Sequence, residues 1–218
     1  MQKPKSMLSQ WLAYPFAFRH RPMVHLVFWW LGCATGETQT SEAERDCLAR
    51  YATGKRILAE IGVYEGVTTC RLRKAMHPTG ELFAIDPYPR QRLGFSAQRI
   101  IAHRDVSRIP AGKVSWMRTT RSIAAAEIHS RSTRLFDFVF IDGDHSYEGL
   151  KADWEGWSRL IAPGGIIALH DSRSTPDRLI DDWGSARFTR DVIELDPNFQ
   201  IVETVDSLTV LQKRQQVP

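Results

Sequence analysis

Residues 135–171 read LFDFVFIDGDHSYEGLKADWEGWSRLIAPGGIIALHD, and this stretch decides how the chain is expected to fold and where its chemistry lies. Two apolar runs in it, 138–141 and 166–169, each end in ionisable residues, and a helical segment lies between them. In an open parallel sheet, residues just past the carboxyl ends of the strands face the ligand crevice. The stretch therefore predicts one site that can hold a divalent cation, place a general base, or do both.

The ionisable residues at the two strand ends are carboxylates and imidazoles. The first run leads into Asp142, Asp144 and His145, and the second leads into His170 and Asp171. Asp144 has two interpretations, because an aspartate there can bind a cation or can serve the amino end of the helix that follows.

The rest of the chain alternates between short apolar runs and helical segments. Strands are predicted at 56–61, 81–85, 114–117, 136–141 and 165–169, and helices at 68–76, 95–102, 122–128, 147–161 and 178–190. This alternation favours a parallel sheet covered by helices on both faces. Residues 199–205 and 207–211 have no helix between them, which predicts an antiparallel hairpin. The expected fold class is therefore α/β, a Rossmann-like, seven-stranded, mostly parallel sheet that ends in an antiparallel hairpin.

Size and composition are those of a single globular domain. The 218 residues are 43% hydrophobic and 25% charged, which is ordinary for a protein with one core. The net charge of +4 favours anionic ligands, but no lysine or arginine block is long enough to predict a nucleic-acid partner. Three cysteines without metal spacing favour reduced thiols and a cytoplasmic location.

Residues 1–40 are interpreted as an aromatic-rich N-terminal arm, and residues 41–218 as the main domain. The arm is expected to be a helical cap on the core, a lid over the substrate, or the contact of a homodimer. Its apolar run at 23–31 is too short to span a bilayer, so no stable membrane insertion is expected. At the boundary, Ser41 and Glu44 have the spacing of a capping box, which predicts the start of a helix.

The first predicted strand ends in an acidic residue and a glycine turn. In the sequence ILAEIGVYEGVTT at 57–69, Gly62 and Gly66 allow a ligand to approach the backbone and the start of a helix. Asp86, at the end of the next strand, is placed to accept hydrogen bonds from a ribose diol. The turn lacks the third glycine of the dinucleotide fingerprint, and Glu60 would repel a pyrophosphate. A cofactor with a cationic amino-acid end fits better, and a nicotinamide-dependent oxidoreductase is the alternative.

Four segments together resemble a known family of enzymes. They read EIGVYEG, AIDPY, FIDGDHSYEGLKAD and APGGIIALHD. In combination they are similar to class I S-adenosylmethionine-dependent methyltransferases, above all to the small metal-dependent O-methyltransferases related to macrocin-type sugar methyltransferases. The resemblance covers roughly residues 40–212. It implies a seven-stranded sheet with an antiparallel last strand, and S-adenosylmethionine over the ends of strands one, two and four.

The resemblance also assigns cofactor contacts one residue at a time. It places Glu60 and Gly62 at the methionine end of S-adenosylmethionine and Asp86 at the ribose hydroxyls. Ser122, which opens the helix after strand three, is assigned to the adenine. The other cofactor-binding residues, in the turn beneath the cofactor and at the end of strand four, are Tyr64, Gly66, Thr68 and Asp142.

The same resemblance implies a divalent metal, held by an aspartate after strand four and an acidic pair after strand five. The matching residues are Asp142, His170 and Asp171. Oxygen ligands favour Mg²⁺, whereas an imidazole at position 170, where relatives often carry a carboxylate, shifts the preference toward Mn²⁺ and softer ions. His170 is therefore a ligand, a neighbour of the ligands, or part of a metal-free site.

His145 stands where relatives place a general base. Methyl transfer to oxygen requires removal of the hydroxyl proton, and histidine can accept a proton near neutral pH. The main hypothesis is an O-methyltransferase that uses Mg²⁺ or Mn²⁺ and methylates a hydroxyl of a small polar acceptor, a sugar or glycoside. The alternatives are a metal-independent methyltransferase with His145 as the only base, the nicotinamide-dependent oxidoreductase, and a non-catalytic cofactor-binding module.

Overall fold

The computed structural model describes residues 22–91, 94–131 and 135–215. Its centre is a sheet of seven strands: β1 Ile57–Ile61, β2 Glu81–Ile85, β3 Lys113–Met117, β4 Phe136–Ile141, β5 Ile161–Leu169, β6 Phe199–Val205 and β7 Leu208–Lys213. The strand order is β3-β2-β1-β4-β5-β7-β6. The first five strands run parallel, and β7 is antiparallel to both of its neighbours. The predicted fold class is confirmed.

Helices connect the strands at nearly all of the predicted places. They are α1 Pro22–Trp30, α2 Glu42–Ala52, α3 Val67–Ala75, α4 Ala97–Ser107, α5 Arg121–Arg131, α6 Tyr147–Trp157 and α7 Gly184–Asp191, with short 3₁₀ helices at Ser158–Leu160 and Ile193–Leu195. The helix predicted at 178–190 begins only at Gly184. The segment before it is a loop, because the Ser174 hydroxyl accepts a hydrogen bond from the Ile180 amide at 2.8 Å and competes with helix formation there.

The capping box at the start of α2 is confirmed. The Ser41 hydroxyl accepts a hydrogen bond from the Glu44 amide at 3.1 Å, and the Glu44 carboxylate accepts one from the Ser41 amide at 2.7 Å. These bonds satisfy two amides at the helix start that have no partner within the helix. The second bond also fixes the direction of the Glu44 carboxylate.

The sheet separates two hydrophobic layers, and β4 contributes to both because successive side chains point to opposite faces. Phe138 and Phe140 pack on the layer formed with α2 and α3, and Val139 packs on the other with α6. Trp157 of α6 is fully buried, and its ring lies edge-on to Phe136 with centroids 5.6 Å apart. The two layers hold the carboxyl ends of β1, β2, β4 and β5 at a common edge.

The described part of the N-terminal arm is docked on the domain. The indole of Trp29 donates a hydrogen bond to Asp105 of α4 at 2.9 Å, and the His25 ring is 3.0 Å from the Glu65 carboxylate. The arm's role as cap, lid or dimer contact stays a prediction, and its aromatic cluster at 11–18 lies outside the described residues. Within the ranges given above, no helix combines the length and the apolar character that crossing a membrane requires.

We expect Trp157→Ala to lower the free energy of unfolding by about 3–5 kcal/mol, because the truncated side chain leaves a cavity in a packed layer. Urea unfolding followed by circular dichroism measures the loss. Leu179→Ala is the matched control, since Leu179 is 80% exposed and its truncation should cost within about 0.5 kcal/mol. Equal losses in the two variants would contradict the assignment of Trp157 to the core.

Candidate active site

A cleft of about 460 Å³ opens at the carboxyl ends of β1, β2 and β4. This is the edge of the sheet at which ligands bind in open α/β folds. Most of the residues predicted from the sequence to bind a cofactor or to act as base line this cleft: Glu60, Gly62, Tyr64, Thr68, Asp86, Asp142 and His145. The structure therefore brings residues from three strand ends together around one cavity.

Glu60 presents a buried carboxylate to this cleft. The residue is the fourth of β1 and has no exposed surface, and neither carboxylate oxygen has a hydrogen-bond partner among the described residues. Burial raises the pKa of Glu60 well above its usual range, and the charges of Asp142 and Asp86 add to this effect, while the nearby Thr69 hydroxyl opposes it. A buried carboxylate without partners is costly. A ligand with a cationic or hydrogen-bond-donating group in the cleft would remove that cost.

Asp86 organises the turn between β1 and α3. One carboxylate oxygen accepts hydrogen bonds from the amides of Val63 and Tyr64, both at 3.0 Å, and the other accepts one from the Tyr88 amide at 2.7 Å. A carboxylate offers about four acceptor positions, so about one position remains for a ligand hydroxyl. The carboxylate that was predicted to bind a ribose is thus already fixed in orientation by the backbone.

Gly62 is required by the close approach of two strands. Its φ is +90°, and a Cβ added to it would lie 1.9 Å from the carbonyl oxygen of Asp142. Any side chain at this position would force β1 and β4 apart at the cleft. The glycine that the sequence pattern assigned to ligand approach therefore also sets the spacing of the two strand ends.

The remaining predicted cofactor residues differ in their position. Gly66 is the N-cap of α3 with φ +78° and supports the turn. The hydroxyl of Thr68 is 3.3 Å from that of Thr40, and the Tyr64 hydroxyl donates to Glu37 at 3.4 Å. Ser122 lies in the first turn of α5, which begins one residue earlier at Arg121, and its side chain lies outside the described part of the structure.

Residues before the predicted domain boundary also line the cleft, and the sequence reasoning missed them. They are Glu37, Thr38 and Gln39. The Glu37 amide donates to the buried Glu65 carboxylate at 2.7 Å, and Glu65 also contacts His25 of α1. These contacts join residues that are separated by 28 and 40 positions in the chain. No local sequence pattern indicates such contacts.

His170 follows β5 and is buried between two carboxylates. Its Nδ1 is 2.9 Å from Asp142 and its Nε2 is 3.4 Å from Glu44. Burial by itself lowers the pKa of His170, but the hydrogen bonds to Asp142 and Glu44 and the charge of Asp171 outweigh it and raise the pKa to about 10. Burial raises the pKa of Glu44, but hydrogen bonds from His170 and the Ser41 amide bring it to about 2. The two residues therefore form an ion pair at neutral pH.

Asp171 is fully buried and makes a two-point ion pair. Its two carboxylate oxygens accept hydrogen bonds from the guanidinium of Arg178 at 2.6 and 2.9 Å. Its backbone adopts φ +48°, a left-handed conformation that aspartate tolerates better than most residues. Ser185 of α7 donates to its carbonyl oxygen at 2.6 Å, so both the side chain and the backbone of Asp171 are held.

His145 lies between the cleft and this ion pair. Its Nε2 is 3.7 Å from Oδ2 of Asp171, and its side chain is 29% exposed. The ring also packs beside Trp183, with centroids 5.9 Å apart. Asp144, by contrast, accepts a hydrogen bond from the Ser146 amide at 2.9 Å in the turn that leads into α6. His145 is thus an imidazole that lines the open cleft and lies near a buried carboxylate, an arrangement that suits a general base.

Two of the three predicted metal ligands, His170 and Asp171, are already engaged by other charged groups. Both nitrogens of His170 face carboxylate oxygens, and both oxygens of Asp171 accept hydrogen bonds from Arg178. A metal requires deprotonated ligands with free lone pairs. In the described residues, Asp142, His170 and Asp171 are not among the groups whose donor atoms all lie within 4.8 Å of one another. Metal binding here stays a prediction, and this arrangement favours a metal-free site.

We expect the free energy of unfolding to fall as the pH rises from about 6.5 to about 10, because a group with a raised pKa stabilises the fold fully only below its unfolded pKa. His170 is such a group, with a pKa of about 10 in the folded chain. Urea unfolding at both ends of this range measures the effect. His170→Gln should lose the part of the pH dependence that the imidazole provides, and an unchanged dependence would contradict the buried ion pair.

Comparisons with known proteins agree with this description of the fold. A family model described as a methyltransferase domain matches residues 59–172. The uncharacterized protein y4gI of Sinorhizobium fredii is 27% identical over 134 residues, which are 56% of this chain and 14% of that protein. The chain thus spans only a small part of that curated relative.

Three solved structures have similar folds at low sequence identity. Cofactor-bound Rv0187 from MTB superposes with a TM-score of 0.66 at 18% identity, over 99% of this chain and 100% of that one. An O-methyltransferase from Bacillus cereus in complex with SAH gives 0.62 at 18% identity, over 94% and 97%. The O-methyltransferase TomG from Streptomyces achromogenes in complex with SAM gives 0.60 at 15% identity, over 95% and 96%.

The family model begins within β1, at the strand that carries Glu60, and ends one residue after Asp171. It therefore contains the turn, the strand ends, His170 and Asp171, whereas their ion-pair partners Glu44 and Arg178 lie outside it. Because this match extends over more than half of the chain, the chain belongs to the family of methyltransferase domains.

Proposed function

We propose that the chain transfers a methyl group from S-adenosylmethionine to a hydroxyl of a small polar acceptor, a sugar or glycoside, with His145 as the general base. The observation that carries the proposal is the unpartnered carboxylate of Glu60 in the same cleft as the imidazole of His145. One is suited to a cationic cofactor, and the other is suited to removing a proton from an acceptor.

The cleft has the chemistry that S-adenosylmethionine requires. The ammonium group at the methionine end would satisfy Glu60, and the remaining acceptor position of Asp86 is suited to a ribose hydroxyl. The similar structures from Bacillus cereus and Streptomyces achromogenes are complexes with SAH and SAM, respectively. These complexes support the choice of cofactor, and the names of the two proteins support oxygen as the methylated atom.

The residues around His145 are arranged to help it take up a proton. S-adenosylmethionine, when bound, supplies a methyl group on a positively charged sulfur. His145 receives the proton of the acceptor hydroxyl, and the Asp171 carboxylate 3.7 Å behind the ring stabilises the imidazolium that results. General-base help of this kind is worth about 10²–10⁴ in rate. Trp183 packs against the ring and restricts its rotation.

A dependence on Mg²⁺ or Mn²⁺ is the second form of the proposal. It has the support of the sequence resemblance, whereas the engaged donor atoms of His170 and Asp171 favour the metal-independent form. A methyl-transfer screen over sugars, glycosides and phenols, with and without EDTA, separates the two. Turnover that survives EDTA supports the metal-free form, and turnover that is lost with EDTA and restored by Mg²⁺ supports the metal-dependent form.

The partners and the location are part of the same proposal. A cavity of about 460 Å³ suits a cofactor and a small acceptor, and no nucleic-acid partner is proposed.

The cysteines are free thiols, and burial raises the pKa of Cys47 and Cys70 to about 11. Thiols of this kind stay protonated and react slowly, in keeping with the proposed cytoplasmic location. The homodimer proposed for the arm is tested by sedimentation velocity.

We expect Glu60→Gln to weaken the binding of S-adenosylhomocysteine by about tenfold to a hundredfold, because a hydrogen bond to a charged group is worth about 1.5–3 kcal/mol. Isothermal titration calorimetry measures it without any acceptor. Since the raised pKa of Glu60 makes the ligand compete with a proton, wild-type affinity should fall as the pH is lowered, and the variant should lose this dependence. Glu194→Gln, which alters a surface ion pair, is the control, and equal affinities of both variants would refute the role.

We expect His145→Ala to reduce turnover of an accepted acceptor by about 10²-fold or more, with little change in affinity for S-adenosylhomocysteine. The reason is that proton removal is lost while the cofactor contacts remain. The matched control is His129→Ala, since His129 is exposed on α5. Turnover of the His145 variant within a few-fold of the control would show that another group removes the proton.

A further inference from the structure

We propose that Arg178 is the built-in cation of this site. Its guanidinium occupies the side of Asp171 at which a divalent ion would bind, and it acts on His145 through that carboxylate. Arg178 is thus a positioning residue. Its effect on catalysis through His145 rests on the proposed function. The exclusion of divalent ions by Arg178 is independent of that function.

The first observation is the geometry of the Arg178–Asp171 pair. The two terminal nitrogens of the guanidinium bind the two carboxylate oxygens separately, at 2.6 and 2.9 Å. The Asp171 side chain has no exposed surface, whereas that of Arg178 is 41% exposed. Two parallel N–H···O bonds in a buried setting are among the strongest ionic contacts in proteins. A divalent ion bound by both oxygens on this side of Asp171 would have to displace both bonds.

The second observation is that contacts within the loop before α7 hold Arg178 in position. The backbones of Thr175 and Arg178 exchange two hydrogen bonds at 3.0 and 3.2 Å, which close a tight turn. Ile180 is buried, and its amide is bound by the Ser174 hydroxyl. The guanidinium also lies over the Trp183 ring, 4.8 Å from its centroid, a distance at which a cation and an aromatic ring attract.

The third observation links Arg178 to His145. Oδ2 of Asp171 accepts the 2.9 Å hydrogen bond from Arg178 and is also the atom 3.7 Å from Nε2 of His145. Trp183 packs against both side chains. Arg178 therefore controls how much negative charge Asp171 presents to the imidazole, and it fixes the position of that charge.

Two cations offset most of the negative charge around Asp171 without a metal. The carboxylates of Glu44, Asp142 and Asp171 face two cations, His170 and Arg178. A guanidinium keeps its charge at every pH at which the protein is folded. Removal of Arg178 leaves Asp171 buried without its closest cation, and an unpaired buried carboxylate attracts any cation that can reach it.

The test measures Mn²⁺ binding by electron paramagnetic resonance on the full chain, which requires neither cofactor nor acceptor. Wild type should show no binding that depends on Asp171. Arg178→Ala and Arg178→Gln should bind Mn²⁺ at least about tenfold more tightly than wild type, because a cation close to the carboxylate has been removed. Arg178→Lys keeps a cation and should not gain Mn²⁺. Adding Asp171→Asn to Arg178→Ala should abolish the gain.

Arg173→Ala is the matched control, since Arg173 lies on the same loop and pairs with Glu194 at 3.1 Å. Circular dichroism confirms that each variant is folded, and the glutamine variant carries the test if the alanine variant is not. Three outcomes overturn the proposal: wild type binds Mn²⁺ through Asp171, no Arg178 variant gains Mn²⁺, or the lysine variant gains as much as the others. Failure of S-adenosylhomocysteine to bind wild type would instead refute the proposed function, and would leave the Mn²⁺ result valid.

Discussion

The site depends on one buried chain of charges, which runs from Glu44 through His170 to Asp142. Glu44 belongs to α2, His170 follows β5 and Asp142 follows β4, so that three elements are fixed by one imidazole. Glu44 also accepts hydrogen bonds from the amide and the hydroxyl of Ser207, at 3.0 and 2.7 Å, in the turn between β6 and β7. A shift of His170 would therefore disturb contacts with a helix, two strand ends and the hairpin at the same time.

The fold and the carboxylates at the strand ends in the cleft could be predicted, because the sequence patterns that indicate them involve residues close together in the chain. Each apolar run is short enough to be a strand, each is followed by a helical segment, and the polar residues come directly after the runs. That is why Glu60, Asp86 and Asp142 could be assigned to one cleft from the sequence. Parallel strands necessarily bring their carboxyl ends to a common edge. Polar residues that follow separate strands in the sequence are therefore expected to lie close together in the fold.

The partners of the charged residues could not be predicted, because they are distant in sequence. Glu44 is recognisable only as part of a capping box, while its contacts with His170 and Ser207 span 126 and 163 residues. Arg178 falls in a stretch that was predicted to be helical, and nothing in its surroundings points to Asp171. The same holds for Glu37, whose approach to the cleft depends on the docking of the N-terminal segment.

The position of β7 has a consequence for the order in which the protein becomes functional during synthesis. This strand lies between β5 and β6, although it follows both in sequence. Until residues 208–213 have been made, β5 has an open edge, and the turn that carries Ser207 cannot close to hold Glu44. A chain without these residues would contain the strands of the cleft without the contact that anchors its chain of buried charges. The strand that comes last in sequence order is therefore needed before the hairpin can anchor this site.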